Sequence, residues 1–239
     1  PMAGQGCGAI AVTENGLFAT GTCGRIWEAF TTPALKGRKI LDVAGDFTTA
    51  GVLLLRLDDG TVLAVRNRGR SVTELDDLDH VRRISWSGGN PGRFYVLTGD
   101  RLMVSIDRCS SFKQLGEVFS PDRKIFGIYG DPHIPDRTCM LTPEGLLCRG
   151  PGDDRWIKVV SSTLSAETPG PGCRLYFVPW EKGLVFLSGD DGRVYRSIDG
   201  GRTWTLLTIG TGIGRYWGGW IAGERGRARL VCVSSANGY

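Results

Sequence analysis

Residues 186–204 read FLSGDDGRVYRSIDGGRTW. An apolar stretch meets a tight Asp190-Asp191-Gly192 turn, a second stretch alternates around Val194, and a glycine-rich loop ends on Trp204. Asp-Gly supplies the positive φ angles that a two-residue hairpin needs, so apolar segments on either side of it predict two antiparallel strands. The layout recurs along the chain at Glu14-Asn15-Gly16, Asp58-Asp59-Gly60, Thr98-Gly99-Asp100, Pro143-Glu144-Gly145 and Ala236-Asn237-Gly238. With Gly16, Gly60, Asp100, Gly145, Gly192 and Gly238 taken as equivalent, the spacings are 44, 40, 45, 47 and 46 residues. A period of that size means stacked supersecondary units.

The register around each turn is shared. Six residues before the anchor stand Ile10, Leu54, Phe94, Cys139, Phe186 and Cys232, and two residues after it stand Phe18, Val62, Leu102, Leu147 and Val194. A further strand precedes each hairpin and ends on a small residue, as in Leu41/Val43/Gly45, Ile84/Trp86/Gly88, Phe126/Ile128/Gly130 and Gly219/Ile221/Gly223, whereas the fourth unit reads Tyr176/Val178/Trp180. Four short strands per repeat, with a period near two residues, predict an all-β chain: a β-propeller of four-stranded antiparallel blades with WD40-like architecture. The 36 glycines and a hydrophobic fraction of 41% agree with many tight turns between short strands.

The repeats run approximately 6–37, 38–79, 80–122, 123–170 and 171–214, with closing strands in 215–239, all in a single domain over 6–239; residues 1–5 read as a tag scar or tail. Five blades are expected, with six blades or a piece of a larger propeller as the alternative. The simplest closure lets the last first-strand, 216–223, join the three N-terminal strands, which removes exposed edges. Two segments, 8–12 and 229–233, then compete for one slot, and this permits strand exchange between two copies of the chain.

The segment from Ser197 to Trp204 resembles an Asp-box, the SxDxGxTW hairpin also called the BNR repeat. Ser105 to Phe112 lies at the same offset and keeps the Ser, the Asp and an aromatic end, while 65–72 is a weaker echo and two other units keep only Trp27 and Trp156. The resemblance implies bracing roles for Ser197, Asp199, Gly201, Thr203, Trp204, Ser105, Asp107 and Phe112. The carboxylate accepts N–H bonds that close the turn, the glycine permits a left-handed step, and the aromatic packs between sheets. It also implies an architecture like that of sialidases and sortilin-like proteins. The sialidase catalytic set does not carry over: Gly24-Arg25-Ile26-Trp27 is the nearest early match and lacks the proline, and no tyrosine pairs with a glutamate by spacing.

Basic residues end the loops that enter each first strand: Arg38-Lys39, Arg82-Arg83, Arg123-Lys124, Arg174 and Arg215. A rotational repeat would gather them at one mouth, where the arginine fork suits carboxylate, sulfate or phosphate. At the other ends of those strands stand Asp46, Asp131, Glu181 and Glu224, with Gly89 the exception, as turn caps or a cation-facing mouth. Trp180, Tyr216, Trp217 and Trp220 form an aromatic group that suits sugar or peptide faces or simple packing between sheets. His80 and His133 are the only histidines and build no nucleophilic triad, and Gly210-Thr211-Gly212-Ile213-Gly214 lacks a phosphate-loop lysine.

A formal net charge of +4 argues against a nucleic-acid binder, and no stretch of 18 apolar residues supplies a membrane span. Seven cysteines show no metal-ligand spacing, so neither metal nor cofactor is expected; Cys139 and Cys232 read as small buried hydrophobes, which leans toward a reducing, cytoplasmic compartment. The residues favour a non-enzymatic scaffold that holds a protein or an acidic ligand on its basic face. A carbohydrate-binding lectin and a divergent sialidase-like glycoside hydrolase are the alternatives.

Overall fold

The computed structural model describes residues 9–13, 16–22, 24–46, 51–87, 92–159, 173–188, 194–207, 219–220 and 232–233. The chain divides into two compact units, Pro1–Val118 and Phe119–Tyr239.

The first unit opens with a three-stranded sheet of β1 (Ala9–Thr13), β2 (Gly16–Thr20) and β3 (Glu28–Phe30). A four-stranded sheet follows, made of β4 (Ile40–Asp46), β5 (Val52–Leu57), β6 (Val62–Arg66) and β7 (Ser71–Glu74). The next contains β8 (Arg83–Trp86), β9 (Phe94–Leu97), β10 (Leu102–Ser105) and β11 (Lys113–Gln114).

The second unit has a sheet of β12 (Gly127–Gly130), β13 (Thr138–Thr142), β14 (Gly145–Arg149) and β15 (Ile157–Lys158). Another holds β16 (Arg174–Phe177), β17 (Val185–Ser188), β18 (Val194–Ser197) and β19 (Thr205–Leu207), and the pair β20 (Gly219–Trp220) and β21 (Cys232–Val233) ends the unit. Every pairing is antiparallel between strands adjacent in sequence, and the helical elements among the described residues are two 3-10 turns, Pro33–Leu35 and Asn67–Gly69. These are four-stranded meander blades, and five blades fit the repeat.

Local chemistry sets the hairpins. Gly60 and Gly145 sit at φ +89 and +124, where a side chain is disfavoured. Gly45, the small residue closing β4, has a stronger reason to be glycine: at φ +128 a Cβ would stand 2.4 Å from the Val52 carbonyl oxygen.

The strands are apolar on both faces. In β5, Val52 and Leu54 enter a cluster with Ile84, Phe94 and Val96 of the β8–β11 sheet, while Leu53, Leu55 and Leu57 enter another with Leu17 and Phe30 of the β1–β3 sheet. In the second unit Val185 and Leu187 face Cys139, Leu141 and Leu146, and Phe186 points the other way with Val178 and Leu184. Two-residue periodicity thus loads both sides of each sheet, as a stack of sheets requires.

Three expectations change. The first strand of the fifth repeat, 171–214, is Arg174–Phe177, so Val178 and Trp180 lie beyond it; Pro179, which has no N–H, cannot extend the ladder. Of the two segments expected to compete for one slot, Cys232–Val233 is the one beside Gly219–Trp220, and β1 is the edge of its own sheet.

Cys139 is buried as expected but is no simple hydrophobe. It is disulfide-bonded to Cys148, its direct partner across the β13–β14 hairpin, with Cα atoms 4.1 Å apart. Cys109 and Cys173 are buried free thiols. Reduction, or Cys148→Ser, should lower stability in urea by about 2–3 kcal/mol, the entropy released by opening a short loop; an unchanged midpoint on adding reductant would show that the bond contributes nothing.

Candidate functional site

The strongest repeated geometry lies in the loops after β10 and β18. In the second unit Ser197 Oγ donates to Asp199 Oδ1 at 2.7 Å and accepts the Gly201 N–H at 2.7 Å. Asp199 also accepts the N–H groups of Arg202 and Thr203 and, at 2.6 Å, the Thr203 hydroxyl. Trp204 is buried and donates its indole N–H to the Gly201 carbonyl at 3.0 Å. The first unit repeats the Ser and Asp bonds, with Phe112 in place of Trp204: Ser105 Oγ donates to Asp107 and accepts the Cys109 N–H, and Asp107 accepts Ser110 N–H, Ser111 N–H and the Ser111 hydroxyl.

These bonds hold both carboxyls ionised. At Asp107 the Ser111 hydroxyl and N–H and the Ser105 hydroxyl outweigh burial and hold the carboxyl at about 2, against an ordinary 3.8. At Asp199 burial pushes upward, but the Thr203 hydroxyl and N–H, the Ser197 hydroxyl and the Arg202 N–H overcome it, again to about 2. Burial pushes the Cys109 thiol in the first of these turns up to about 12, so it is not a thiolate nucleophile.

Each turn is seized by an arginine from the preceding sheet. Arg66, at the end of β6, donates to the carbonyls of Arg108 and Cys109 at 3.2 and 2.8 Å. Arg137, just before β13, donates to the equivalent Gly200 carbonyl and pairs at 3.0 Å with Asp131, whose side chain is 5% exposed. The loop before the second strand completes the clamp, since Gly92 and Gly183 each accept an N–H from the turn, at 3.1 and 2.8 Å. A Cβ on Gly183 would lie 2.7 Å from the Ile198 carbonyl oxygen, so the loop closes on the turn only with glycine there.

In the second unit these parts border a cleft of about 580 Å3. Its acidic groups, its histidine and Arg137 are committed to the fold. Asp131 accepts the N–H groups of His133 and Ile134 as well as the Arg137 guanidinium. His133 Nε2 lies 2.8 Å from the Val178 carbonyl, which can only accept, so that nitrogen carries the proton.

The basic residues expected at one mouth largely brace hairpin turns of their own sheets. Arg38 pairs with Asp59 at 3.1 Å, Arg82 donates to the Gly99 carbonyl at 3.1 Å, and Arg123 pairs with Glu144 at 2.7 Å while lying over the Phe119 ring. Asp59, Gly99 and Glu144 all belong to the turn between second and third strands. Arg174 donates to the Cys173 carbonyl. Lys39 and Lys124 are exposed and Arg83 is half-buried. The structure therefore brings Arg38, Lys39, Arg82 and Arg83 to the starts of the neighbouring strands β4 and β8, and Arg123, Lys124 and Arg174 to those of β12 and β16.

Arg215, Tyr216, Trp217 and Glu224, and the Trp220 side chain, lie outside the described residues. Trp180 packs on the Val178, Leu184 and Phe186 cluster. Phe112 packs, partly buried, on the core between the second and third sheets. The arginine clamp was missed in the sequence because Arg66 and Arg137 occupy different repeat positions and converge only in space.

No family model and no curated protein matches the chain. Among solved structures it is similar to PorZ of Porphyromonas gingivalis, an essential surface component of the type-IX secretion system, at 19% identity over 80% of this chain and 25% of that one, TM-score 0.57. It is similar to an ancestral GH74 enzyme at 19% identity over 75% of this chain and 25% of that one, TM-score 0.55. YCF48 from Cyanidioschyzon merolae is 14% identical over 88% of this chain and 84% of that one, TM-score 0.52.

The fold is a β-propeller. The chain spans about a quarter of the length of the PorZ and GH74 chains, and the likeness at these identities is one of fold. Among the described residues no helix is long and apolar enough to cross a membrane.

Because both hairpin carboxyls ionise in the folded chain at about 2 rather than 3.8, their contribution is complete above pH 4 and is lost as pH falls from about 4 to 2. The thermal midpoint should drop through that window, and Asp199→Asn should flatten the drop; a slope unchanged in the variant would contradict the hydrogen-bond account. Arg137→Ala should cost about 3 kcal/mol in urea unfolding, because it strands the buried Asp131 charge. Arg137→Lys should recover only part of that, since one ammonium replaces a fork reaching two acceptors.

Proposed function

We propose that this chain is a non-enzymatic binding scaffold, whose basic side chains at the entries of the first strands within each unit hold acidic segments of a protein partner. The observation that carries the proposal is the repetition of a basic residue at that entry in all four complete sheets, with Lys39 and Lys124 exposed beside arginines that are pinned to hairpin turns. A charge held at a fixed place on a rigid sheet costs little ordering on binding. The commitment of Asp131, His133 and Asp199 to backbone and side-chain partners supports binding over acid–base chemistry at the cleft. The glycoside-hydrolase and lectin readings draw no comparable support from any residue.

Two finer readings belong with this one. The matched networks of Ser105–Phe112 and Ser197–Trp204 support assigning both to the Asp-box class, with a bracing role in a single five-bladed domain. The Cys139–Cys148 disulfide supports an oxidising compartment in place of the reducing one expected from composition.

The test is biolayer interferometry against immobilised poly-glutamate. Binding should weaken with added salt, and Lys39→Glu, Arg83→Glu and Lys124→Glu combined should weaken it about tenfold, the sum of two exposed pairs and one half-buried pair. Equal affinity of the triple variant, with an unchanged thermal midpoint, would remove these residues from the binding face.

A further inference from the structure

The cleft of the second unit offers a second binding surface, of a different kind. It is bordered by the turn of Asp199, Gly200 and Arg202, by the loop of Asp131, His133, Ile134 and Arg137, and by Gly150, Pro151, Lys182 and Gly183. Its volume of about 580 Å3 falls within the range of ligand sites, roughly 300–1,000 Å3. What distinguishes it is how little of its polar lining is open to a ligand.

Asp131 and Arg137 neutralise each other at 3.0 Å, the Gly200 carbonyl takes the second arm of Arg137, and His133 donates to Val178. The Gly150 N–H is spent on Asp153, the Gly183 carbonyl on the Gly200 N–H, and Asp199 on its own hairpin. What remains is apolar surface and two cations. Ile198 is 70% exposed, and Ile134 and Pro151 stand in the same cleft. Lys182 and Arg202 are exposed and, among the described residues, spend their charge on no carboxylate. With Asp131 paired to Arg137, these two cations stand against the single remaining carboxylate of the lining residues, Asp199.

From this we infer that the cleft receives an extended segment of a partner protein in which an aliphatic side chain lies beside a carboxylate. The aliphatic group covers Ile134, Pro151 and Ile198, and the carboxylate meets Lys182 and Arg202. The clamp of Arg137 and Gly183 on the turn fixes Ile198, so the surface is formed before the partner arrives. This inference does not require the basic strand-entry face, and it places its ligand on side chains that face shares none of.

The probe is a fluorescein-labelled hexapeptide alternating Glu and Leu, followed by fluorescence anisotropy, with a Lys/Leu hexapeptide as control. The Glu/Leu peptide should bind saturably and the Lys/Leu peptide should not. Lys182→Glu with Arg202→Glu, and separately Ile198→Asp, should each weaken binding at least tenfold; all three residues are exposed, and unchanged thermal midpoints would show the variants folded. The triple variant Lys39→Glu, Arg83→Glu, Lys124→Glu should bind the hexapeptide as the unaltered chain does. Loss confined to that triple variant would overturn the cleft and leave the strand-entry face standing. Equal affinity in all variants, or no saturable binding, would overturn the cleft outright.

Discussion

Every complete sheet here is apolar on both faces, and that requirement governs the rest. A strand such as Val52–Leu57, whose alternate residues enter two different clusters, cannot leave either side to water. Leu53, Leu54, Leu55 and Leu57 are at most 1% exposed, and burying a leucine contributes about 2 kcal/mol each. A sheet of this kind is stable only with a neighbour on each side, which is why the repeat unit has no meaning alone.

Face-to-face packing leaves loops whose backbone groups must be satisfied without a ladder. The chain meets that demand with arginines at both ends of its sheets. Arg38, Arg82 and Arg123 hold the turns between second and third strands, and Arg66 and Arg137 hold the turns after the third strand. Ser and Asp close the latter turns from within, and glycine in the adjoining loop allows contact to within a hydrogen bond. These five arginines are therefore structural. The arginine fork suits this use because it spans a carboxylate and a carbonyl at once.

The same division shapes the functional surfaces. At the strand entries, arginines committed to turns sit beside lysines exposed to solvent, the division on which the proposed binding face rests. In the cleft, inward polar groups are mutually satisfied while Ile198, Lys182 and Arg202 face outward. A ligand at either proposed surface would be spared the cost of ordering it, because the surrounding sheets hold the side chains in place.

The period of hairpin turns, the two-residue alternation and the Ser-x-Asp loops were legible in the residues themselves, because turn chemistry and strand pleat act over a few neighbouring positions. They determined the all-β class, the four strands of each unit, and the buried places of Leu54, Phe94, Phe186 and Trp204. The disulfide rests on the same local geometry, since a two-residue turn sets Cys139 opposite Cys148, a partner within the hairpin and not at the matching place of another repeat. Which arginines brace and which stay available was decided only in three dimensions. Arg66 and Arg137 stand 42 and 63 residues from the carbonyls they hold, at unlike repeat positions, and only the packing of one sheet on the next brings them there.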